Sequence, residues 1–274
     1  MTEGGNSPGA TPETPRATDA GPARKTRPAI LVVAGTDSSG GAGLAADIRT
    51  AAAHDVNVRL AVTAVTAQTD GKVGRIEAMP PALVAEQIAM ALEDVSAVKI
   101  GMLGTEPIVA AVADGLAGFG GTIVLDPVIA ASSGGLLLCE DGLATMTERL
   151  LPTTALVTPN LPELDILSAR LGVPAGADTD RKAHALLDAG AGAVLVKGGH
   201  GEGRAVDILY RTGRPPLRFA SPRIAATLRG TGCALATAIA CRLASGDTLE
   251  GACEKAKAFV AGLLKGRADF AKSG

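Results

Sequence analysis

The residues that could do chemistry in this 274-residue chain sit in short polar segments: "GTDSSGGAG", "TAQTDG", "KIGML", "DPV", "TPNLPE", "KGGH" and "RGTGC". In the last of these, the glycines around Thr231 allow the backbone to approach an anion, and the helix that follows Gly232 and Cys233 aims its amides at it. A phosphate or a developing oxyanion fits such a turn, although a plain structural turn reads the same way. Cys233 stands at the helix start, where the dipole favours a thiolate and predicts a lowered pKa. Lys197, in "KGGH", places an ammonium beside two glycines; it suits a phosphate, or else a solvated lysine on a tight turn. His200 in the same segment reads as a surface loop residue.

Asp126 of "DPV" and Asn160 and Glu163 of "TPNLPE" supply oxygen atoms of the kind that hold hydrated Mg²⁺ together with substrate phosphates. Asn160 and Glu163 equally suit a helix cap and a first-turn acid. In "GTDSSGGAGLAADIRT" a loop of small residues enters a helix carrying Asp47 one turn inside. That segment matches neither a P-loop nor a dinucleotide fingerprint. Asp47 reads as a ligand group or, more plainly, as an exposed helix charge.

The elements that must position these residues alternate. "AILVVA", "RLAVTAV", "AVKIG", "TIVLD", "ALVTP" and "AVLVKG" read as buried strands. "GLAADIRTAAAHD", "PALVAEQIAMALEDV", "EPIVAAVADGLAG", "EDGLATMTERLL", "LPELDILSARLG" and "RKAHALLDAG" read as helices between them. "VDILYRTGRPPLRF" predicts a hairpin, and two helices follow over 232–245 and 249–265. Near-continuous apolar strands separated by helices predict an α/β fold with a mainly parallel sheet covered on both faces. Ligands of such sheets bind beyond the carboxyl ends of the strands, where the polar segments fall. Residues 1–27, rich in Pro, Gly, Thr, Ala and charge, predict a disordered tail, and 28–274 a single domain.

Composition narrows the function classes. Hydrophobic residues make up 47%, enough for a large core, and 26 basic against 28 acidic residues give no electrostatic reason to expect nucleic acid or an anionic membrane. With no Trp, one Tyr and four Phe, a base-stacking platform is not expected. The four cysteines form no CxxC pair, which favours reduced thiols and a cytoplasmic setting. No apolar run reaches the ~18 residues of a membrane span, and no signal-peptide segment is expected.

Taken in order and spacing, "AGTDSSGGAGLAADIRT", "KIGML", "DPV", "TPNLPE", "VLVKGGH" and "GTGC" resemble the hydroxymethylpyrimidine/phosphomethylpyrimidine kinases of thiamin biosynthesis over about residues 28–261. The resemblance implies a ribokinase-like three-layer α/β/α sandwich. It implies phosphorylation of 4-amino-5-hydroxymethyl-2-methylpyrimidine by MgATP, commonly followed by phosphorylation of the monophosphate, in a homodimer. It further implies that Gly35, Asp47, Gln68 and Met102 line the pyrimidine pocket, with Asp47 on the aminopyrimidine edge. Asp126, Asn160 and Glu163 would surround Mg²⁺ and phosphates, and Lys197 would meet the nucleotide. The amides of Gly230 to Cys233 would hold the transferred phosphoryl group. Pyridoxal kinase and a non-catalytic pyrimidine-binding relative are the alternatives, and Asp47 with Met102 is expected to favour the aminopyrimidine.

Three positions depart from the family pattern. Thr69 and Asp70 stand where relatives have Asn-Thr, Arg229 where they have His, and Ser132 and Gly135 where they often have Lys and Asp. An acid at 70 and a missing lysine at 132 are expected to disfavour an acceptor that already carries phosphate, while Arg229 could serve as a phosphate contact.

Overall fold

A computed structural model describes residues 1–2, 27–131, 135–198, 204–226 and 228–273. The predicted tail over 1–27, Ser132 and His200 therefore lie outside the described residues, save Met1, Thr2 and Arg27.

The chain runs β1 (Ala29–Ala34), α1 (Gly43–Ala53), β2 (Asn57–Val62), β3 (Ala64–Gln68), β4 (Val73–Ala78), α2 (Pro81–Ala91), β5 (Ala97–Ile100) and α3 (Glu106–Gly115). It continues through β6 (Thr122–Leu125), α4 (Glu140–Thr145), β7 (Leu156–Val157), α5 (Leu161–Arg170), α6 (Thr179–Asp188) and β8 (Val194–Val196). The hairpin of β9 (Ala205–Arg211) and β10 (Arg214–Ser221) follows, then α7 (Thr231–Ala244) and α8 (Leu249–Ser273).

Eight strands form one sheet in the order β10-β9-β8-β7-β6-β5-β1-β2. Six pair in parallel, and among the described strands of this sheet only β9 runs against them; β10, antiparallel to β9, returns to their direction at the edge. The predicted three-layer sandwich is what the chain forms, and the period-2 alternation of strand side chains explains it. Leu31 and Val33 of β1 join a core with α2, α3, α5 and α6. Ile30, Val32 and Ala34 point the other way, into a core with α1, α7 and α8. Both faces are dry, so the strand reads as unbroken hydrophobe. Helix α7 packs against β1, β5 and β6, and Ala234 to Cys241 are all buried. Its run of alanines lets the backbone lie close to the sheet.

Two elements differ from the sequence reading. "RLAVTAV" is not one strand: β2 stops at Val62 and β3 starts at Ala64. The buried Thr63 turns the chain out of the sheet, its amide donating to Ala34 O and its hydroxyl to Met102 O at 2.6 Å. Beyond it, β3 pairs with β4 in a separate antiparallel ribbon. The predicted helix over 140–151 keeps α-geometry only to Thr145 and is wound as a π-turn over Met146–Leu150 before Pro152.

Candidate functional site

The carboxyl ends of the strands and the start of α7 enclose a cavity of about 730 Å³. Its walls come from the β1–α1 loop, the β3–β4 ribbon, the ends of β5 to β8 and the turn before α7. Two charged clusters and a glycine turn define its chemistry.

The turn is set by Gly230, which caps α7 with φ +73; a Cβ there would run into the Gly41 carbonyl oxygen. No side chain among the described residues caps the helix start. Among the described residues the amides of Thr231, Gly232 and Cys233 have no backbone acceptor, and all three residues line the cavity. They are orphan donors at the positive end of a 14-residue helix. A Cβ on Gly232 would stand 3.3 Å from Lys197 Nζ, so the turn and the lysine share one corner.

Lys197 follows β8 and its Nζ donates to Asp126 Oδ1 at 2.8 Å, with Glu163 Oε2 3.7 Å away. Burial works against the ammonium, but the two carboxylates outweigh it and hold its pKa above the ordinary lysine value. For Glu163 the balance goes the other way: burial pushes its pKa up to about 7 despite Lys197. Asn160 and Glu163 form a reciprocal capping box, Oδ1 accepting from the Glu163 amide and Oε2 from the Asn160 amide, both at 2.8 Å.

That box qualifies the metal expectation. Asn160 Oδ1 and Glu163 Oε2 are spent on the helix start, and among the described residues no three His, Cys, Asp or Glu side chains converge on one point. A protein-built cage is absent there. Asp126 and Glu163 keep one carboxylate oxygen each without a hydrogen bond among the described residues. This donor set fits a hydrated Mg²⁺ that draws its other ligands from water and phosphate.

Asp47 overturns its expected role. It is fully buried, and its carboxylate accepts from Lys99 Nζ at 3.0 and 2.9 Å and from Thr237 Oγ1 at 2.6 Å. It does not line the cavity and cannot meet a ring edge, nor is it an exposed helix charge. The reason is topological: Asp47 faces inward from α1, between β5 and α7, where a carboxylate survives only with its hydrogen bonds filled. Burial pushes both partners toward their neutral forms, yet Asp47 facing Lys99 keeps the lysine's pKa above normal. Asp47 therefore no longer separates an aminopyrimidine from other rings.

The expected thiolate also fails. Burial drives the Cys233 pKa up to about 11; Lys99 and an amide hydrogen bond from Gly43 oppose this, but Asp47 and Asp126 add to it. At neutral pH Cys233 is a thiol, because desolvation outweighs the helix dipole.

Gly35, Gln68 and Met102 do line the cavity. A Cβ on Gly35 would come within 3.1 Å of Met102 Sδ, so the glycine is what leaves the thioether its place. Arg229 lines it too, but its guanidinium is engaged rather than free: Nη2 lies 3.3 Å from Asp37 Oδ2 and Nη1 3.2 Å from Asp70 Oδ1. Burial works against the Asp37 carboxylate, but hydrogen bonds from Ser39, Ala42 and Gln68 hold its pKa below the usual range.

Sequence reading gave no role to Lys99, Thr237 or Asp37. A single lysine inside the apolar run "AVKIG" was the available signal, since a buried lysine demands a carboxylate. Nothing in the sequence pointed to Thr237.

Residues 37–273 match the model of a family described as phosphomethylpyrimidine kinase. A hydroxymethylpyrimidine/phosphomethylpyrimidine kinase of Rhizobium meliloti is 42% identical over 84% of this chain and 88% of its own length. The crystal structure of a phosphomethylpyrimidine kinase from Clostridium difficile superposes with TM-score 0.74 at 30% identity, covering 87% of this chain and 100% of that one. A pyridoxal kinase from Staphylococcus aureus, solved with pyridoxal, gives TM-score 0.77 at 30% identity over 86% of this chain and 87% of that one.

Proposed function

The chain belongs to the phosphomethylpyrimidine kinase family, and from that premise we propose that it transfers the γ-phosphoryl group of ATP to the hydroxymethyl group of 4-amino-5-hydroxymethyl-2-methylpyrimidine in thiamin biosynthesis. The observation that carries this reading is the corner where the orphan amides of Thr231, Gly232 and Cys233 meet Lys197. Phosphoryl transfer asks mainly for positioning and charge stabilisation, and this corner supplies both.

In this reading Gly35, Gln68 and Met102 receive the ring, with the Met102 thioether against its face. The turn amides hold the charge that develops on the phosphoryl oxygens, and Lys197 stands beside them. Cys233, a thiol at neutral pH, orients the acceptor hydroxyl by hydrogen bonding rather than taking its proton as a base. Asn160 and Glu163 fix the start of α5 so that the carboxylates around Lys197 stay in register. Mg²⁺, held through Asp126 and Glu163 and hydrated elsewhere, would neutralise nucleotide phosphate charge. A homodimer and a cytoplasmic location belong to the same proposal and rest on the family.

Purified protein given MgATP and the pyrimidine alcohol is expected to yield the monophosphate, read by mass spectrometry. The likeness to pyridoxal kinase makes pyridoxal the competing substrate. Pyridoxal phosphate as the sole product, or ligand binding without ATP turnover, would overturn the proposal.

A further inference from the structure

We propose that the Arg229–Asp70 pair sets the preference between the pyrimidine alcohol and its monophosphate, Asp70 acting against the acceptor that already carries phosphate. This rests on the kinase reading above and names a specificity determinant within it.

Arg229 ties together three segments that wall the cavity. Besides the two carboxylates, its Nη1 donates to Ser39 Oγ at 2.9 Å in the β1–α1 loop and to Thr69 O at 3.0 Å at the tip of the β3–β4 ribbon. It directly precedes Gly230, so it stands between the ribbon, which carries Gln68, and the turn amides. An acceptor whose reacting oxygen points at that turn, and whose hydroxymethyl carbon already bears phosphate, must put that phosphate between ring and turn, within reach of this guanidinium.

The other cations of the cavity are committed elsewhere. Lys99 is closed off with Asp47, Lys197 belongs to Asp126 and Glu163, and Lys257 donates to Asp207 at 2.8 Å. Arg223, on the stretch between β10 and the turn, also lines the cavity and has an interaction of its own.

The two carboxylates on Arg229 are unlike each other. The Asp37 side chain is 1% exposed and locked by its own loop amides; that of Asp70 is 83% exposed and, among the described residues, hydrogen-bonds only with Arg229. An exposed pair contributes little, whereas guanidinium and phosphate form strong charge-assisted bonds. An incoming phosphomonoester can therefore displace Asp70 but not Asp37. The displaced Asp70 still stays nearby, and one cation against two carboxylates leaves this wall net negative. A neutral alcohol is indifferent to that balance; a phosphate dianion is not.

The test compares the two acceptors in one protein. Kd by calorimetry and kcat/KM with MgATP would be measured for alcohol and monophosphate in the wild type, Asp70→Asn, Asp70→Glu and Arg229→Gln. Asp70→Asn is expected to raise the monophosphate-to-alcohol ratio about five- to tenfold, mainly through KM and Kd. Asp70→Glu should keep the wild-type ratio, and Arg229→Gln should lower it about tenfold. A ratio that stays within about twofold in Asp70→Asn, with both acceptors shifting together, would mean the pair is only structural and would overturn the proposal. Failure of the wild type to bind either acceptor would instead overturn the kinase reading beneath it.

Discussion

Lys99 and Lys197 are both set against carboxylates close to Cys233, yet their surroundings divide them. Lys99 and Asp47 are sealed, with no exposed surface on either side chain, and Thr237 completes the carboxylate's bonds. Lys197 is 14% exposed, shares two carboxylates and leaves oxygens of both open toward the cavity. The same ion pair is a strut in one place and a reactive surface in the other. What separates them is whether the hydrogen-bonding capacity of the group is filled by the protein or left for a ligand.

The sharpest attempt to break this contrast is at the turn shared by both. Gly232→Asp would push a carboxylate against Lys197 and into the amide corner; turnover is expected to fall by about a thousandfold or more with the fold retained, checked by single-turnover kinetics and circular dichroism. Next comes a crossed pair. Lys99→Met leaves Asp47 buried and unpaired and is expected to cost about 3–5 kcal/mol in urea unfolding. The double variant Asp47→Leu/Lys99→Met should recover most of that loss. Lys197→Met should do the reverse, costing under about 2 kcal/mol in stability but roughly a hundredfold in kcat/KM. Equal stability losses in the two single variants would erase the distinction.

A smaller effect concerns pH. Because Glu163 titrates near 7 in the fold and at about 4.5 when unfolded, the folded state holds the proton more tightly. Stability tied to this group is full below about 4.5 and is lost as pH rises through about 7. The Tm of the wild type should therefore fall relative to Glu163→Gln between those values, and parallel curves would contradict it. The smallest effect is expected at Cys233→Ser: less than about tenfold in kcat, since a protonated thiol and a hydroxyl position an acceptor alike. A loss matching that of Gly232→Asp would make the cysteine a base after all.

Much of the architecture was legible because burial on both faces leaves a strand such as "AILVVA" free of polar residues. Strand β4, "VGRIEA", was not, because it is largely exposed and, among the described residues, pairs only with β3, so neither period nor hydrophobicity marks it. The break at Thr63 is equally silent: a β-branched residue between apolar neighbours looks like more strand. Lys197, Asp126 and the glycine turn could be found from type and position at strand ends. The fate of Asp47 could not, since its meaning depends on Lys99, 52 positions away, and Thr237, 190 positions away. For Arg229 the sequence offers a phosphate contact, but its present partners are fixed by how the β3–β4 ribbon folds over the cavity.

Strand β1 has a consequence for how the chain reaches this state. It lies inside the sheet, yet its neighbour β5 is made much later, Ile30 pairing with Ala97. At roughly 5–20 residues per second of synthesis, β1 waits on the order of 3–13 s for that partner. Meanwhile "AILVVA", six apolar residues without a charge or proline, has the composition of a self-associating segment. The centre of the finished enzyme is thus an aggregation-prone stretch while the chain is being made, and a holdase chaperone should raise soluble yield by sheltering it.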